Sequence, residues 1–478
     1  MLADKPKGAD GTNRSLILAG GGMRLAYQAG VLIALEEEGH SFSHIDGTSG
    51  GIFNAAMLAS GLSANEIAEK WRYLKIKHFM SLRPLGSYLK PLNMTGFGDA
   101  DGIRDHIFPG LGIDIAKIRA SNSADFTFNV CNFSDKTVEA ITQNEVTTEH
   151  LLAGVSLPMV MPGLEIKGKW FSDAVWIKDA NLMEAVRRGA EELWLVWAIG
   201  NTKTYLPGAL NQYVHMIEMS ANGGLIEEYE RIKLINERIA DGITGYRQKV
   251  PAKLFVIKPT FPLPLDPDLY FGKIDARSLI NMGYVHAKNA LNSMPADGFA
   301  MDKSATKMAD PGIRMSMRAE FSGYMSENNK QLATRFYAYF VLSHHYRFDI
   351  LDVYASIKID SFGREIPCFN SHVKASETHG YRSITYTAQF IESGETYSIE
   401  AMFRLASAAD FLLGLAFKTV RLTITNDRDS ILIKGRLYQS INNRLKSMFS
   451  TNVWGSDGTS GGLKLRYRMT SKLVNYEV

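Results

Sequence analysis

The chain has 478 residues, 45% hydrophobic and 22% charged, with a formal net charge of +3 at pH 7; this length predicts two domains and the composition is that of an ordinary globular protein. The charge balance offers no basic stripe for nucleic acid, although weak attraction to an anionic membrane surface stays open. Only two cysteines occur, Cys131 and Cys368, which excludes a disulfide framework and a multi-cysteine zinc site and predicts two buried free thiols.

Residues 1–14 are polar, carry Lys5, Lys7 and Arg14, and lack an apolar run. Residues 1–12 are therefore expected as a disordered tail, not a secretory signal. Residues 15–19 form a short apolar strand leading into Gly20-Gly21-Gly22. Residues 27–38 have helical spacing, with Val31, Leu32 and Leu35 apolar, and Gly39 stops them. A second helix is expected over 51–60. Ser63 and Glu66 form a capping box for a third over 64–74. Residues 126–130, 193–198 and 253–257 read as buried strands and 182–189 as a helix. Such alternation implies a mostly parallel sheet covered by helices. The stretch 296–312, rich in polar residues, Met, Pro and Gly, is the expected linker. Beyond it, one helix-like segment (329–343) precedes strand-like segments at 350–359, 384–391, 397–404, 418–425, 431–438 and 463–469, which predict an antiparallel sandwich or barrel over 313–478. No apolar stretch has the length of a membrane span.

Asp46-Gly47-Thr48-Ser49-Gly50-Gly51 contains Gly-x-Ser-x-Gly, and the same six residues recur at 457–462. A nucleophile elbow needs a strand, a sharp turn and a helix, so that the hydroxyl projects where backbone N–H groups converge. The first copy is followed by the helical Ile52-Phe53-Asn54-Ala55-Ala56-Met57. The second is followed by an alternating strand and reads as a hairpin loop, so Ser49 is the expected nucleophile and Ser460 a turn residue. A serine hydroxyl requires a base and donors for the oxyanion. Gly20-Gly21-Gly22 at a strand end supplies backbone N–H groups facing a small cavity. A dinucleotide fingerprint would need Gly where Leu25 stands.

The run from Leu18 to Leu32, with Gly20-Gly21-Gly22-Met23-Arg24 and then Ser49 27 residues after Gly22, resembles the opening of bacterial patatin-like phospholipases. The resemblance spans residues 13–295, including a segment at 273–291 similar to the family's last helix. It implies a three-layer α/β fold and a Ser–Asp dyad. The family's aspartate follows a Ser-x-x-x-Pro segment, which places it at Asp173, after Ser156 and Pro158–Pro162. The expected oxyanion donors are the N–H groups of Gly20, Gly21, Gly22, Met23 and Gly50, with Arg24, Gly47 and Gly51 in support and no metal or other cofactor. Arg24 would hold the loop or meet a substrate phosphate. Three positions depart from the pattern: Leu25 replaces Gly, Ala174-Val175 replace Gly-Gly/Ala, and Asp179-Ala180-Asn181 replace Asn-x-Pro. Asp179 is a fallback base whose plainer reading is a solvated loop or cap residue.

The implied activity is phospholipase A-like hydrolysis of lipid esters by a cytoplasmic protein that visits membrane surfaces peripherally, leaving head group, ester position and oligomeric state open. The alternative is a degenerate lipid-binding or scaffold protein on the same fold. A Ser-His-Asp triad would have to recruit His286, His344 or His345, none in a recognisable loop context, while His44 reads as a surface or strand residue. The stretches 71–80 and 157–161 are either core or the lining of an acyl channel.

Overall fold

A computed structural model describes residues 11–79, 81–82, 94–200, 205, 207–243, 246, 248–264, 266–309, 312–327, 330–344, 349–378, 381–404, 417–426 and 431–454. The chain divides into two compact units, Met1–Asp266 with Ala290–Ala309 and Pro267–Asn289 with Asp310–Val478.

The first unit contains strands β1 (Arg14–Leu18), β2 (His44–Thr48), β3 (Ser81–Leu82), β4 (Gly98–Asp99), β5 (Asp125–Asn132), β6 (Thr137–Thr142), β7 (Leu164–Ile166), β8 (Lys169–Asp173), β9 (Glu192–Val196) and β10 (Lys253–Ile257). Its main sheet runs β10-β9-β1-β2-β5-β8-β7, with β6 also paired to β5, while β3 and β4 pair only with each other. The five strands β10, β9, β1, β2 and β5 are parallel to their neighbours; β6, β7 and β8 are attached antiparallel. Leu16, Ile17 and Leu18 are all buried, so β1 is covered on both faces, as in a three-layer α/β fold. One face packs Ile17, Leu195 and Val256 against Leu182 and Val186 of the helix Leu182–Arg187 and Leu225 and Tyr229 of the long helix Ala209–Ala240. Sequence patterning did not single out that long helix.

Local signals set the boundaries near the site. Helix α1 (Ala26–Glu37) is buried along ten consecutive residues and gives way to Gly39 at a φ of 72°. Helix α2 (Gly51–Ala59) follows β2 after two residues, and α3 (Ala64–Tyr73) carries the expected Ser63–Glu66 capping box.

Among the described residues, the strands of the second unit form one ten-stranded antiparallel sheet: β11 (Ile313–Glu327), β12 (Lys330–His344), β13 (Asp349–Ile359), β14 (Glu365–Pro367), β15 (Phe369–Thr378), β16 (Tyr381–Glu392), β17 (Glu395–Arg404), β18 (Thr419–Asn426), β19 (Ile431–Tyr438) and β20 (Asn452–Trp454). The sheet curls over a single apolar core, so that Phe336 and Phe340 of β12 face Tyr386 of β16 and Phe403 of β17. The helix Ala276–Asn292, matching the segment expected near 273–291, places its residues up to Asn289 in this unit. There Ser278 bonds Tyr337, and His286 Nε2 lies 3.1 Å from the Tyr354 hydroxyl.

The helix expected at 329–343 is instead β12. Its even-numbered residues Phe336, Ala338, Phe340 and Leu342 face the core, while Tyr337 and Tyr339 on the other face are buried as well. Covering both faces removes the polar alternation by which a strand is recognised. The second copy of the six-residue motif, with Ser460, and the strand expected at 463–469 lie outside the described residues, as does His345.

Candidate active site

Ser49 occupies the turn between β2 and α2 with a φ of 51°, a left-handed conformation uncommon for a residue bearing a Cβ. Close packing of the flanking glycines accompanies it. A methyl carbon at Gly51 would lie 2.0 Å from the Leu18 carbonyl oxygen, and one at Gly47 would lie 2.9 Å from Ala55 Cβ. Glycine at these positions lets α2 turn back directly over the sheet, with Ser49 at the apex of the turn.

Strand β5 brings the partner. β2 lies along β5 from His44 opposite Asp125 to Thr48 opposite Asn129. β6 holds the other edge, and β8, running antiparallel, takes over the β2 edge at the next residue, with Asp173 opposite Val130. Ser49 and Asp173, 124 positions apart, therefore meet, and the Ser49 hydroxyl donates to Asp173 Oδ2 at 2.6 Å. The second oxygen, Oδ1, accepts from Val175 N–H at 2.9 Å, which orients the carboxyl plane. Burial pushes the Asp173 pKa up to about 7, against the lowering pull of the Ser49 and Val175 hydrogen bonds. A carboxyl so placed can accept a hydroxyl proton and return it near neutral pH.

The glycine loop leaves β1 beside this turn, with Leu18 in register with Gly47. Gly20 N–H donates to Asp179 Oδ2 at 3.0 Å, and Met23 N–H to Asp266 Oδ1 at 3.1 Å. Two of the five expected oxyanion donors are thus already committed. The N–H groups of Gly21, Gly22 and Gly50 donate to no described residue. Loop and turn are in contact, since a methyl carbon on Gly50 would lie 2.6 Å from the Gly22 carbonyl oxygen. Arg24 Nε donates to the Gly21 carbonyl at 2.9 Å and stands 3.9 Å from Asp266 Oδ1, so it holds the loop.

Residues 16–186 match the family model described as patatin-like phospholipase. This stretch is a patatin-like phospholipase domain. The family is one of lipid acyl hydrolases, and this part of the chain shares that general character. Among solved structures, VipD from Legionella pneumophila is similar at 12% sequence identity, over 59% of this chain and 67% of its own, with a TM-score of 0.33. No curated protein matches the sequence.

The patatin-like domain accommodates its departures from the family pattern in distinct ways. Neither Ala174 nor Val175 takes a positive φ, and the chain leaves Asp173 through an ordinary 3-10 turn, Ala174–Trp176; glycine is not needed there. Leu25 is buried beneath the loop, its two Cδ atoms 2.9 Å and 2.5 Å from where methyl carbons on Gly21 and Gly50 would stand. Asp179 is not a solvated loop residue. It is fully buried, and its Oδ1 has no hydrogen-bond partner.

A polar network under the patatin-like turn was missed by the sequence reading. Asn129 Nδ2 donates to Asp46 Oδ1 at 2.6 Å and Thr48 Oγ1 at 2.8 Å, while its Oδ1 accepts from Asn181 at 2.7 Å. Thr127 donates to Asp46 Oδ2 at 2.6 Å, and His44 Nε2 lies 2.8 Å from the Thr127 hydroxyl. His44 is thereby buried, not at the surface. Burial pushes Asp46 up to about 7, against the bonds from Thr127 and Asn129. The signal was present: Thr127 and Asn129 are polar at a spacing of two inside an apolar strand. Of the apolar stretches, Trp71 stacks on Phe79 beside Phe53 as core, and Met80 lies outside the described residues. Met159 in the 157–161 stretch is exposed at 58%.

Proposed function

We propose that the protein is a phospholipase A-like serine esterase that cleaves lipid esters through a Ser49–Asp173 dyad and an acyl-enzyme. The observation that carries this reading is the 2.6 Å bond from Ser49 Oγ to Asp173 Oδ2 at a turn with a left-handed serine. In the first half-reaction Ser49 Oγ attacks the ester carbonyl carbon as its proton passes to Asp173 Oδ2. The oxyanion is met by the free N–H groups of Gly21, Gly22 and Gly50. Collapse breaks the bond to the leaving oxygen, which takes the proton from Asp173. Water then attacks the acyl-enzyme carbonyl as its proton passes to Asp173, and collapse releases the fatty acid while Ser49 Oγ takes that proton back from Asp173. No step requires a metal.

A lipid substrate is supported by exposed apolar side chains on segments tied to the Asp173 strand end, where Asp173 N–H donates to the Ser156 carbonyl at 3.1 Å. Ile177 lies four residues beyond Asp173, and Phe97 N–H bonds the carbonyl of Met159; all three side chains are exposed. Tyr213 links the same region by donating to the Pro158 carbonyl and packing on Trp176, 5.7 Å between ring centres. Such a rim suits peripheral contact with a membrane by a cytoplasmic protein. Among the described residues no helix is long and apolar enough to cross one.

Lipid-product analysis of wild type and Ser49→Ala, with fluorophosphonate labelling, tests the reading. Fatty-acid release and labelling are expected to vanish together in Ser49→Ala, by about 10^3-fold or more in rate. Full activity in that variant refutes the dyad, and folded wild type that neither labels nor hydrolyses points to the lipid-binding alternative.

A further inference from the structure

A second buried carboxyl adjoins the dyad and has no part in the mechanism above. Asp179 Oδ2 accepts the Gly20 N–H at 3.0 Å, and the Asp179 carbonyl accepts the same N–H at 3.3 Å. A methyl carbon on Gly20 would stand 2.1 Å from Asp179 Oδ1 and 2.7 Å from Ser49 Cβ. Asp179 and Ser49 therefore press on the same side of the first glycine of the loop. Asp179 is 0% exposed, and its Oδ1 has no hydrogen-bond partner.

The charged groups that bear on it are Asp173, from the end of β8, and Arg24, from the turn after the glycine loop. Asp173 is a like charge. Arg24 directs its Nε to the Gly21 carbonyl and forms no ion pair with Asp179. An ionised carboxylate with one bare oxygen and no ion pair is a costly arrangement in a dry site. A carboxylic acid meets each contact: one oxygen accepts from Gly20, and the other carries the proton.

Resting on the Ser49–Asp173 reading, we infer that Asp179 is a positioning residue that works as a neutral carboxylic acid, anchoring Gly20 and keeping negative charge away from the developing oxyanion. Burial, followed by the nearby Asp173, holds its proton on well above the usual carboxylate range. Ionisation of Asp179 places a second negative charge beside Asp173 and against the oxyanion, so turnover declines on the alkaline side. An amide supplies the same acceptor and a donor without an ionisable proton.

The test pairs Asp179→Asn and Asp179→Ala in the full chain. With carbon-13 aspartate, the infrared spectrum followed as pH rises past about 7, where Asp46 and Asp173 lose their protons, should keep a protonated-carboxyl stretch that Asp179→Asn lacks. Asp179→Asn should retain kcat within about threefold and lose the alkaline decline, while Asp179→Ala loses about 100-fold in kcat with KM little changed. Absence of the band, an Asn variant as impaired as the Ala variant, or wild-type kcat in Asp179→Ala each overturns the inference. If Asp179→Ala does not fold, the infrared band and the Asn pH profile decide. If Ser49→Ala hydrolyses like wild type, the dyad reading falls separately, and the infrared band still decides whether Asp179 carries the proton.

Discussion

The carboxyl groups enclosed around the Ser49 turn and those enclosed in the second unit are met in opposite ways. In the second unit Asp275 meets Arg318 at 2.7 Å and Glu365 meets Arg277 at 3.0 Å. Burial would raise the Asp275 pKa, but Arg318 and the hydrogen bonds from Ser278 and Tyr337 outweigh it and hold the group below its usual range. In the first unit Asp46, Asp173 and Asp179 are more deeply buried, and none forms an ion pair among the described residues. They are met by neutral donors, and all three are raised, chiefly by burial. A carboxylate matched to a cation serves the fold. Met only by hydroxyl, amide and N–H groups, Asp173 is able to exchange a proton near neutrality, which is what acid–base chemistry requires.

The contrast is open to direct attack, most severely at Asp173. Asp173→Asn should cut the rate of fatty-acid release by about 10^3-fold or more while the protein stays folded; comparable turnover in the variant would erase the distinction between the two kinds of acid. Asp275→Ala should do the reverse. It removes the partner of Arg318 and should cost about 1–3 kcal/mol in urea denaturation, discounted for the partial exposure of the pair, with Ser49 still labelled in the folded protein.

A third effect concerns stability and pH. Because Asp173 is raised to about 7 in the folded state, the folded form holds its proton longer than the unfolded chain does. Wild type therefore loses stability as pH rises from the ordinary carboxylate range toward 7, and Asp173→Asn does not. Thermal melts at about pH 8 should find the variant more stable by roughly 1–3 kcal/mol, a gain that disappears at about pH 4. The smallest effect is kinetic: kcat/KM should fall about tenfold per pH unit below about 7, as the base becomes protonated. A flat profile across that range would remove Asp173 as the base.

Much of this was legible in the chain. The glycine loop, the helix after Ser49 and the Ser63–Glu66 capping box each depend on residues a few positions apart, and each stands where patterning put it. The mostly parallel sheet covered by helices and the antiparallel second region were legible from the order and alternation of elements. β12 was not, because burial on both faces erased its periodicity, and Asp179 was not, because a lone aspartate before Ala180-Asn181 looks like any loop residue.

Sequence by itself determined the elbow, since the small residues at Gly47 and Gly51 are what allow α2 to close over β1. It also marked Asp173 as a candidate through resemblance. Only the tertiary structure decided that Asp173 reaches Ser49, because β2 and β8 share one edge of β5 and end at adjacent residues. The same is true of the raised pKa values of Asp46, Asp173 and Asp179. Burial sets them, and it is a property of chain segments brought together across more than a hundred residues.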